Sequence, residues 1–136
     1  MLFGKEHVER YRATDGDEGH IWQNGSMVAL LTTKGRKTGE ERTTPLIYGI
    51  TPEGEHMVVA SKGGEDTPPA WYLNLQENPD AELQVLADRF PVKARDAGPD
   101  EKPELWQKMA AQWPDYDAYQ RRTDREIPVV VLERKS

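Results

Sequence analysis

The sequence predicts an α+β fold with a mostly antiparallel sheet of about six strands, closed into a barrel, and three or four short helices. Apolar and β-branched runs follow one another through tight turns that contain glycine, as in antiparallel hairpins. Helical segments interrupt these runs without a regular alternation of strand and helix, so a parallel sheet is not expected. Closure into a barrel would hide the sheet edges.

The first three strands are predicted at residues 27–33, 42–50 and 57–61, joined as an antiparallel meander. The first of these runs is apolar and is typical of a buried strand. Pro45 lies inside the second run and indicates a sheet edge or a bulge, because proline cannot donate a hydrogen bond to a neighbouring strand.

The second half of the chain predicts a hairpin of two strands within residues 81–97 and a final strand at 127–134. The unbroken apolar run of the final strand predicts burial on both faces. Helices are predicted at residues 5–12, from Pro68 to residue 77 with Thr67 as the cap, at 99–113, and directly after Pro114.

The chain has 136 residues, a net charge of −6 and no cysteine, which favours one domain without disulfides or thiolate metal ligands. The three histidines lie far apart in the sequence, so no metal site is predicted. No apolar run is long enough to span a membrane, and the acidic balance disfavours nucleic acid as a partner. We therefore expect a cytoplasmic protein, with no nucleic acid partner and no membrane association.

Four cations stand out against this acidic background in the stretch TTKGRKTGEER at residues 32–42, namely Lys34, Arg36, Lys37 and Arg42. Their spacing alone favours an ordinary solvated hairpin turn that two glutamates partly neutralise. The alternative is an anion clamp, because arginine offers a fork for phosphate or carboxylate and lysine offers a mobile point charge.

A second candidate site follows the third strand, where Ser61 and Lys62 precede Gly63 and Gly64. Two glycines allow backbone N–H groups to turn toward a ligand, and the helix N-terminus that follows also favours negative charge. The alternative is a flexible connection that leads to Trp71 as a core residue, and the spacing leaves both interpretations open.

A third candidate is the aromatic series Trp113, Tyr116 and Tyr119, which is spaced three residues apart and would be one-sided on a helix. Such a stripe is usually core packing. A tyrosine hydroxyl beside a pocket can, however, order a substrate carbonyl or donate a proton.

Three segments together resemble the deazaflavin (coenzyme F420)-dependent nitroreductase family of reductases. They are LLTTKGRKTGEERTTPLIY, VVASKGGEDTPPAWYLNLQENPDAELQV and YDAYQRRTDREIPVVVLER, and they carry the motifs G-R-K-[ST]-G, A-S-K-G-G, W-Y-x-N-L and T-x-R-x-I-P-V-V-V. The resemblance covers residues 27–134, so we expect one reductase domain over 1–136 with a variable segment at 1–26. It implies a split β-barrel and the use of coenzyme F420, an 8-hydroxy-5-deazaflavin.

The resemblance also implies an activity and roles for individual residues. Members of the family pass a hydride from the reduced deazaflavin to quinones, nitroaromatics or activated enones. Arg36, Lys37 and Arg42 are expected to hold the phosphate and the glutamyl tail of the coenzyme. The other expected coenzyme-binding residues are Pro45, Ser61, Lys62, Gly63, Gly64, Trp71 and Asn74, and the expected catalytic residues are Tyr116, Tyr119 and Ser61.

The sequence departs from the family pattern on the substrate side. Ile47 and Trp113 stand where the well-known nitroreductases carry tyrosine, and Ala70 stands where a larger methionine is common. Two alternatives remain: an FMN-dependent oxidoreductase of the same barrel type, and a carrier that binds the deazaflavin without turnover. The sequence also leaves open the physiological acceptor and whether the barrel edges pair in a homodimer.

Overall fold

The computed structural model describes residues 2–135, and within that range seven strands form one antiparallel sheet accompanied by four α-helices. The strands are β1 (Val28–Lys34), β2 (Glu41–Ile47), β3 (Gly49–Ile50), β4 (His56–Val59), β5 (Asp80–Val85), β6 (Asp88–Asp96) and β7 (Val129–Arg134). The helices are α1 (Gly4–Ala13), α2 (Ala70–Glu77), α3 (Lys102–Gln112) and α4 (Asp115–Arg122).

Within residues 2–135, the sheet curls into a half-barrel whose two edge strands are not hydrogen-bonded to each other. The strands follow the order β2–β1–β5–β6–β7–β4–β3. β2 and β3 form opposite edges, yet Tyr48 alone separates them in the chain. The single strand predicted at 42–50 is therefore bent at Tyr48 into two strands, and each of them forms one edge of the sheet. As a result the sheet has seven strands where about six were predicted. Pro45 lies in the edge strand β2, as its missing N–H predicts.

Strand β1 is buried on both faces because helix α1 covers one face and the main core covers the other. Leu30 packs with Val8 and Tyr11 of α1, whereas Leu31 belongs to the main core together with Trp71. The apolar run therefore predicted the burial of β1 correctly. The N-terminal segment, for which the sequence indicated little beyond a short helix, thus contributes to the core.

Strand β7 is likewise buried on both faces, as predicted. Val129 and Val131 pack with Met109 of α3, while Val130 lies in the main core beside Phe90. Helices α3 and α4 lie where the sequence predicts them. None of the described helices combines the length and the hydrophobicity that crossing a membrane requires.

Helix α2 begins later than the sequence indicates. The assignment of Thr67 as the cap and Pro68 as the first helical residue is wrong, because the helix begins at Ala70 after an extended Pro69 with φ −66° and ψ 154°. Pro69 disfavours the helical conformation for the residue before it, so Pro68 cannot start the helix. The Thr67 hydroxyl instead lies 3.5 Å from Lys62 Nζ.

Candidate functional site

A cavity of about 340 Å³ opens beside the edge strand β2. Its walls come from β2, from the connection between β4 and α2 and the start of α2, from Trp113 after α3, from α4, and from the N-terminal segment. We call it the aromatic cavity, after Trp22, Trp71, Trp113, Tyr116 and Tyr119 in its walls. The fold thus brings Ser61, Lys62 and Gly63 of the second candidate site together with the aromatic series of the third, and it adds Pro45 to the same walls.

Tyr116 and Ser61 present hydroxyl groups to this cavity. Both residues are buried, with 5% and 9% of their surfaces exposed. Among residues 2–135, every fully buried side-chain oxygen or nitrogen has a hydrogen-bond partner, and neither of these hydroxyls has one there. Both oxygens therefore keep access to solvent. Burial, with a smaller contribution from Tyr119, raises the pKa of Tyr116, so its hydroxyl stays protonated at neutral pH and can donate a hydrogen bond.

Within the described residues, the Tyr119 hydroxyl, unlike that of Tyr116, has a hydrogen-bond partner. This hydroxyl accepts a hydrogen bond from Trp113 Nε1 at 3.4 Å, and the Arg122 guanidinium lies 5.5 Å from the Tyr119 ring centroid. The Tyr116 and Tyr119 rings meet edge to face at 6.1 Å. Tyr119 is therefore a fixed part of the wall, while Tyr116 carries the hydroxyl that remains available to a ligand.

The segment from Ser61 to Gly64 turns sharply at the cavity rim. Ser61 has a right-handed helical conformation, whereas Lys62, Gly63 and Gly64 have φ of 45°, 64° and 82°. A right-handed residue followed by a left-handed one is the geometry of an anion-binding nest. In the described part of the chain, the N–H groups of Lys62 and Gly63 have no hydrogen-bond partner, so both can bind a ligand.

Arg125, which lies between α4 and β7, holds this segment in place through hydrogen bonds. Its guanidinium donates to the carbonyl oxygens of Glu65 at 2.8 Å, Ser61 at 2.9 Å and Ala60 at 3.2 Å. Thr123, two residues earlier, donates to Asp66 Oδ1 at 2.8 Å. The T-x-R motif therefore sets the position of Ser61. The motif is visible in the sequence, but its role is not, because the contact joins residues 64 positions apart.

Gly64 does not line the aromatic cavity. A Cβ at this position would lie 2.5 Å from the Tyr119 carbonyl oxygen, so only glycine allows the connection to pack this closely against α4. Its expected part in coenzyme binding remains a prediction. The geometry shows that Gly64 sets the distance between the Ser61 segment and the tyrosine helix.

A second depression of about 430 Å³ shares Trp71 with the aromatic cavity. Arg36 and Lys37 of the β1–β2 connection and Arg42 of β2 line it together with Asn74 and Trp71. We call it the basic cleft. Trp71 belongs to the walls of both the aromatic cavity and the basic cleft, and only 6% of its surface is exposed. A buried tryptophan is thus shared by an aromatic compartment and a cationic one.

Asn74 of α2 links the basic cleft to strand β1 by hydrogen bonds. Its Oδ1 accepts hydrogen bonds from the backbone N–H of Arg36 at 3.1 Å and from Arg36 Nη1 at 2.9 Å. Its Nδ2 donates to the Thr33 hydroxyl at 3.2 Å. The expected coenzyme contact of Asn74 remains a prediction, and the structure adds that this buried amide fixes the arginine at the start of the loop.

The remaining cations of the cleft are less constrained. Arg42 is exposed and its Nη2 lies 3.4 Å from a carboxylate oxygen of Glu40, so part of its charge is already compensated. Arg12 of α1 brings a cation that sequence reasoning missed, since its Nη2 donates to Thr43 in the cleft wall at 3.0 Å. Nothing in the sequence places residue 12 beside residue 43, because the contact depends on how α1 packs.

Sequence reasoning also missed the N-terminal wall of the aromatic cavity. Phe3, His7 and Trp22 all line the cavity. The Trp22 ring stacks on the Trp113 ring with centroids 5.6 Å apart and planes inclined by 19°. Isolated aromatics within an otherwise polar N-terminal stretch were the one available signal, because a segment without function or packing rarely retains them.

A half-barrel with an aromatic cavity and a basic cleft that share one tryptophan defines the class: a split-barrel protein with a site suited to a planar, anionic ligand. The chain belongs to the F420H(2)-dependent quinone reductase family, whose model matches residues 3–134. It is 42% identical over 132 residues to the F420H(2)-dependent quinone reductase Rv1261c of Mycobacterium tuberculosis (strain ATCC 25618 / H37Rv), which covers 95% of this chain and 88% of that protein.

Two solved structures are also similar. One, described as an F420-H2 dependent reductase (FDR-A), is 36% identical with a TM-score of 0.70, and the match covers 78% of this chain and 93% of that one. The other, described as a domain-swapped dimer, is 34% identical with a TM-score of 0.73, covering 95% and 96%. The predicted split barrel and the resemblance to deazaflavin-dependent reductases are confirmed.

Proposed function

We propose that this protein is an oxidoreductase that uses reduced coenzyme F420 to reduce a quinone. When bound, the reduced coenzyme supplies a hydride and a proton, and a quinone that gains both becomes the quinol. The observation that carries the proposal is the position of Trp71, which is shared by an aromatic compartment and a cationic one. Family membership and the named relative support the same activity.

The residues of the two compartments fit the two halves of the coenzyme. A planar deazaflavin suits walls made of Trp71, Pro45 and the segment beginning at Ser61. The phosphate and glutamate carboxylates of the tail suit Arg36 and Lys37 in the basic cleft. In a chain with a net charge of −6, these cations form a local attractive field for a polyanion.

The chain itself contributes binding, orientation and hydrogen bonds to this reaction. The nest N–H groups of Lys62 and Gly63 and the lysine side chain hold an anionic group at the cavity rim. The hydroxyls of Tyr116 and Ser61 donate to a quinone oxygen as it gains negative charge. Tyr116 suits this role because burial raises its pKa and keeps the proton on its oxygen.

The proposal also covers the range of acceptors, the extent of the domain, the location and the oligomeric state. Nitroaromatics and activated enones are proposed as further acceptors because they accept a hydride by the same chemistry. We propose one reductase domain over residues 1–136 and a cytoplasmic location. A homodimer is proposed as well, and the similarity to a structure described as a domain-swapped dimer supports it.

Two parallel binding titrations test the coenzyme assignment. Oxidised coenzyme F420 and FMN are added separately while intrinsic tryptophan fluorescence is followed, because Trp71 lies between the two compartments. We expect coenzyme F420 to bind more tightly than FMN, and Lys37→Glu to weaken coenzyme F420 about tenfold while changing FMN binding less. Binding of FMN alone would replace the proposal by a flavin-dependent reductase, and binding without turnover would leave a carrier.

A further inference from the structure

The N-terminal segment supplies one wall of the aromatic cavity, and this wall has no place in the proposed chemistry so far. Its main contribution is Trp22, which is half-buried and stacks on Trp113 at 5.6 Å with an interplanar angle of 19°. Both rings line the cavity. Two stacked indoles at the side of a cavity present an apolar, polarisable surface to any flat ligand.

Trp22 is locked in place by several contacts. Its Nε1 donates to the Leu2 carbonyl oxygen at 2.9 Å, Phe3 meets its ring edge to face at 5.4 Å, and the His7 ring lies 6.1 Å away. His7 in turn donates from Nε2 to the Gly19 carbonyl oxygen at 2.8 Å. The indole is therefore rigid before any ligand arrives, so binding against it costs little conformational entropy.

Trp22 is also connected to the hydroxyl that we assign to the quinone oxygen. Trp113 stacks on Trp22 and donates from Nε1 to the Tyr119 hydroxyl at 3.4 Å. Tyr119 meets Tyr116 edge to face at 6.1 Å. One continuous aromatic wall thus runs from the N-terminal segment to the hydroxyl group of Tyr116.

The outer end of this wall is apolar as well. Phe3 lines the cavity and 59% of its surface is exposed, so its ring is accessible to a ligand that enters the cavity. An apolar acceptor would meet Phe3 and Trp22 before it reaches Tyr116. A small polar acceptor would gain little from either ring.

We propose that Trp22 is a specificity-determining residue that selects planar aromatic acceptors, such as bicyclic quinones, over small non-aromatic enones. The inference rests on the proposed reductase function and deepens it. Trp22 contacts the acceptor through its ring and has no role in coenzyme binding. Removal of the ring therefore changes the KM of planar acceptors and leaves the coenzyme affinity unchanged.

The test compares Trp22→Leu and Trp22→Phe with the matched control Ile21→Ala. Ile21 is the neighbouring residue, has 62% of its surface exposed and is not part of the cavity wall. The acceptors are 2-methyl-1,4-naphthoquinone, which is planar and bicyclic, and 2-cyclohexen-1-one, which is small and not aromatic. Both are assayed with reduced coenzyme F420, and the dissociation constant of the oxidised coenzyme is measured alongside.

For Trp22→Leu we expect the KM of the naphthoquinone to rise about threefold to tenfold, the range that an aromatic pair supplies. Its kcat, the KM of the enone and the coenzyme affinity should change less than about twofold, and Trp22→Phe should recover most of the loss. Equal changes for both acceptors, or no change for the naphthoquinone, would overturn the inference. Circular dichroism of each variant shows whether it is folded, and Trp22→Phe keeps the aromatic test available if leucine disrupts the segment.

A direct binding measurement separates this inference from the proposed function. If the unmodified protein reduces neither acceptor, the reductase proposal fails, but equilibrium dialysis of 2-methyl-1,4-naphthoquinone still tests Trp22. We then expect the dissociation constant to rise about threefold to tenfold in Trp22→Leu and to stay the same in Ile21→Ala. Equal dissociation constants in all three proteins would contradict the role of Trp22.

Discussion

Replacing Asn74 by alanine should weaken both the fold and the coenzyme site, because this one amide connects them. Its Oδ1 accepts hydrogen bonds from Arg36 N at 3.1 Å and Arg36 Nη1 at 2.9 Å, and its Nδ2 donates to the Thr33 hydroxyl at 3.2 Å. Asn74 and Thr33 are 4% and 1% exposed, so water does not readily replace the lost partners.

The cost in stability follows from these three hydrogen bonds. Each is worth about 1 kcal/mol net, and the one to the exposed Arg36 guanidinium is largely replaced by water, which leaves about 2 kcal/mol. In a chain of this length that corresponds to a fall in Tm of roughly 8 °C. The matched control is Gln76→Ala on the exposed face of the same helix, which should change Tm by less than about 2 °C.

The effect of Asn74 on coenzyme binding should pass through Arg36. Without the amide, the Arg36 side chain loses its fixed direction, and we expect the dissociation constant of coenzyme F420 to rise about fivefold to tenfold. In an Arg36→Ala background, Asn74→Ala should add less than about twofold. A Tm change below about 2 °C would refute the structural reasoning, and fully additive affinity losses would show that Asn74 acts independently of Arg36.

Three further changes test the other parts of the site. Tyr116→Phe should lower kcat by at least about tenfold while the coenzyme dissociation constant stays within about twofold. Burial raises the pKa of Tyr116, so its protonated donor form persists in alkaline solution. In the unmodified protein, kcat should therefore show no decline from this group between pH 7 and its ordinary pKa of 10.0. Arg125→Lys should lower Tm by roughly 8 °C in thermal melts and raise the coenzyme KM, because an ammonium group cannot reach all three carbonyl oxygens. Gly64→Ala should destabilise the fold by more than about 3 kcal/mol, whereas Gly63→Ala, with open space at its Cβ, should cost about 1 kcal/mol of backbone strain in denaturant unfolding.

Each of these expectations has a result that would contradict it. Full turnover by Tyr116→Phe would remove that hydroxyl from the reaction. Unchanged Tm and coenzyme KM in Arg125→Lys would show that the three carbonyl contacts do not position Ser61. Equal stability of the two alanine variants would mean that Gly64 has no steric role against Tyr119.

The sequence predicted the strands well where burial is a local property. The apolar run of β1 indicated a buried strand and that of β7 a strand buried on both faces, and the structure confirms both. The bend at Tyr48 was not predictable, because a single strand from 42 to 50 satisfies the same local pattern. The bend takes the chain from one edge of the sheet to the other, and this path depends on strands distant in the sequence.

The candidate site was predictable in part for a similar reason. The spacing of the cations at 34–42 favoured a solvated turn, and only the resemblance to a coenzyme-binding family favoured the anion clamp. The contacts that build the two compartments are long-range: Asn74 with Arg36, Arg125 with Ser61, and Trp22 with Trp113. Residues so far apart in the chain leave no periodic signal in a single sequence.

The most direct test of the central claim is a single mixing experiment. The protein is combined with reduced coenzyme F420 and 2-methyl-1,4-naphthoquinone, and the return of the oxidised deazaflavin absorbance is followed against a protein-free control. The account predicts that the absorbance returns with one quinone consumed for each coenzyme oxidised, and that Tyr116→Phe slows the return. An absorbance trace no faster than the control, in a protein that binds the coenzyme, would contradict the reductase assignment.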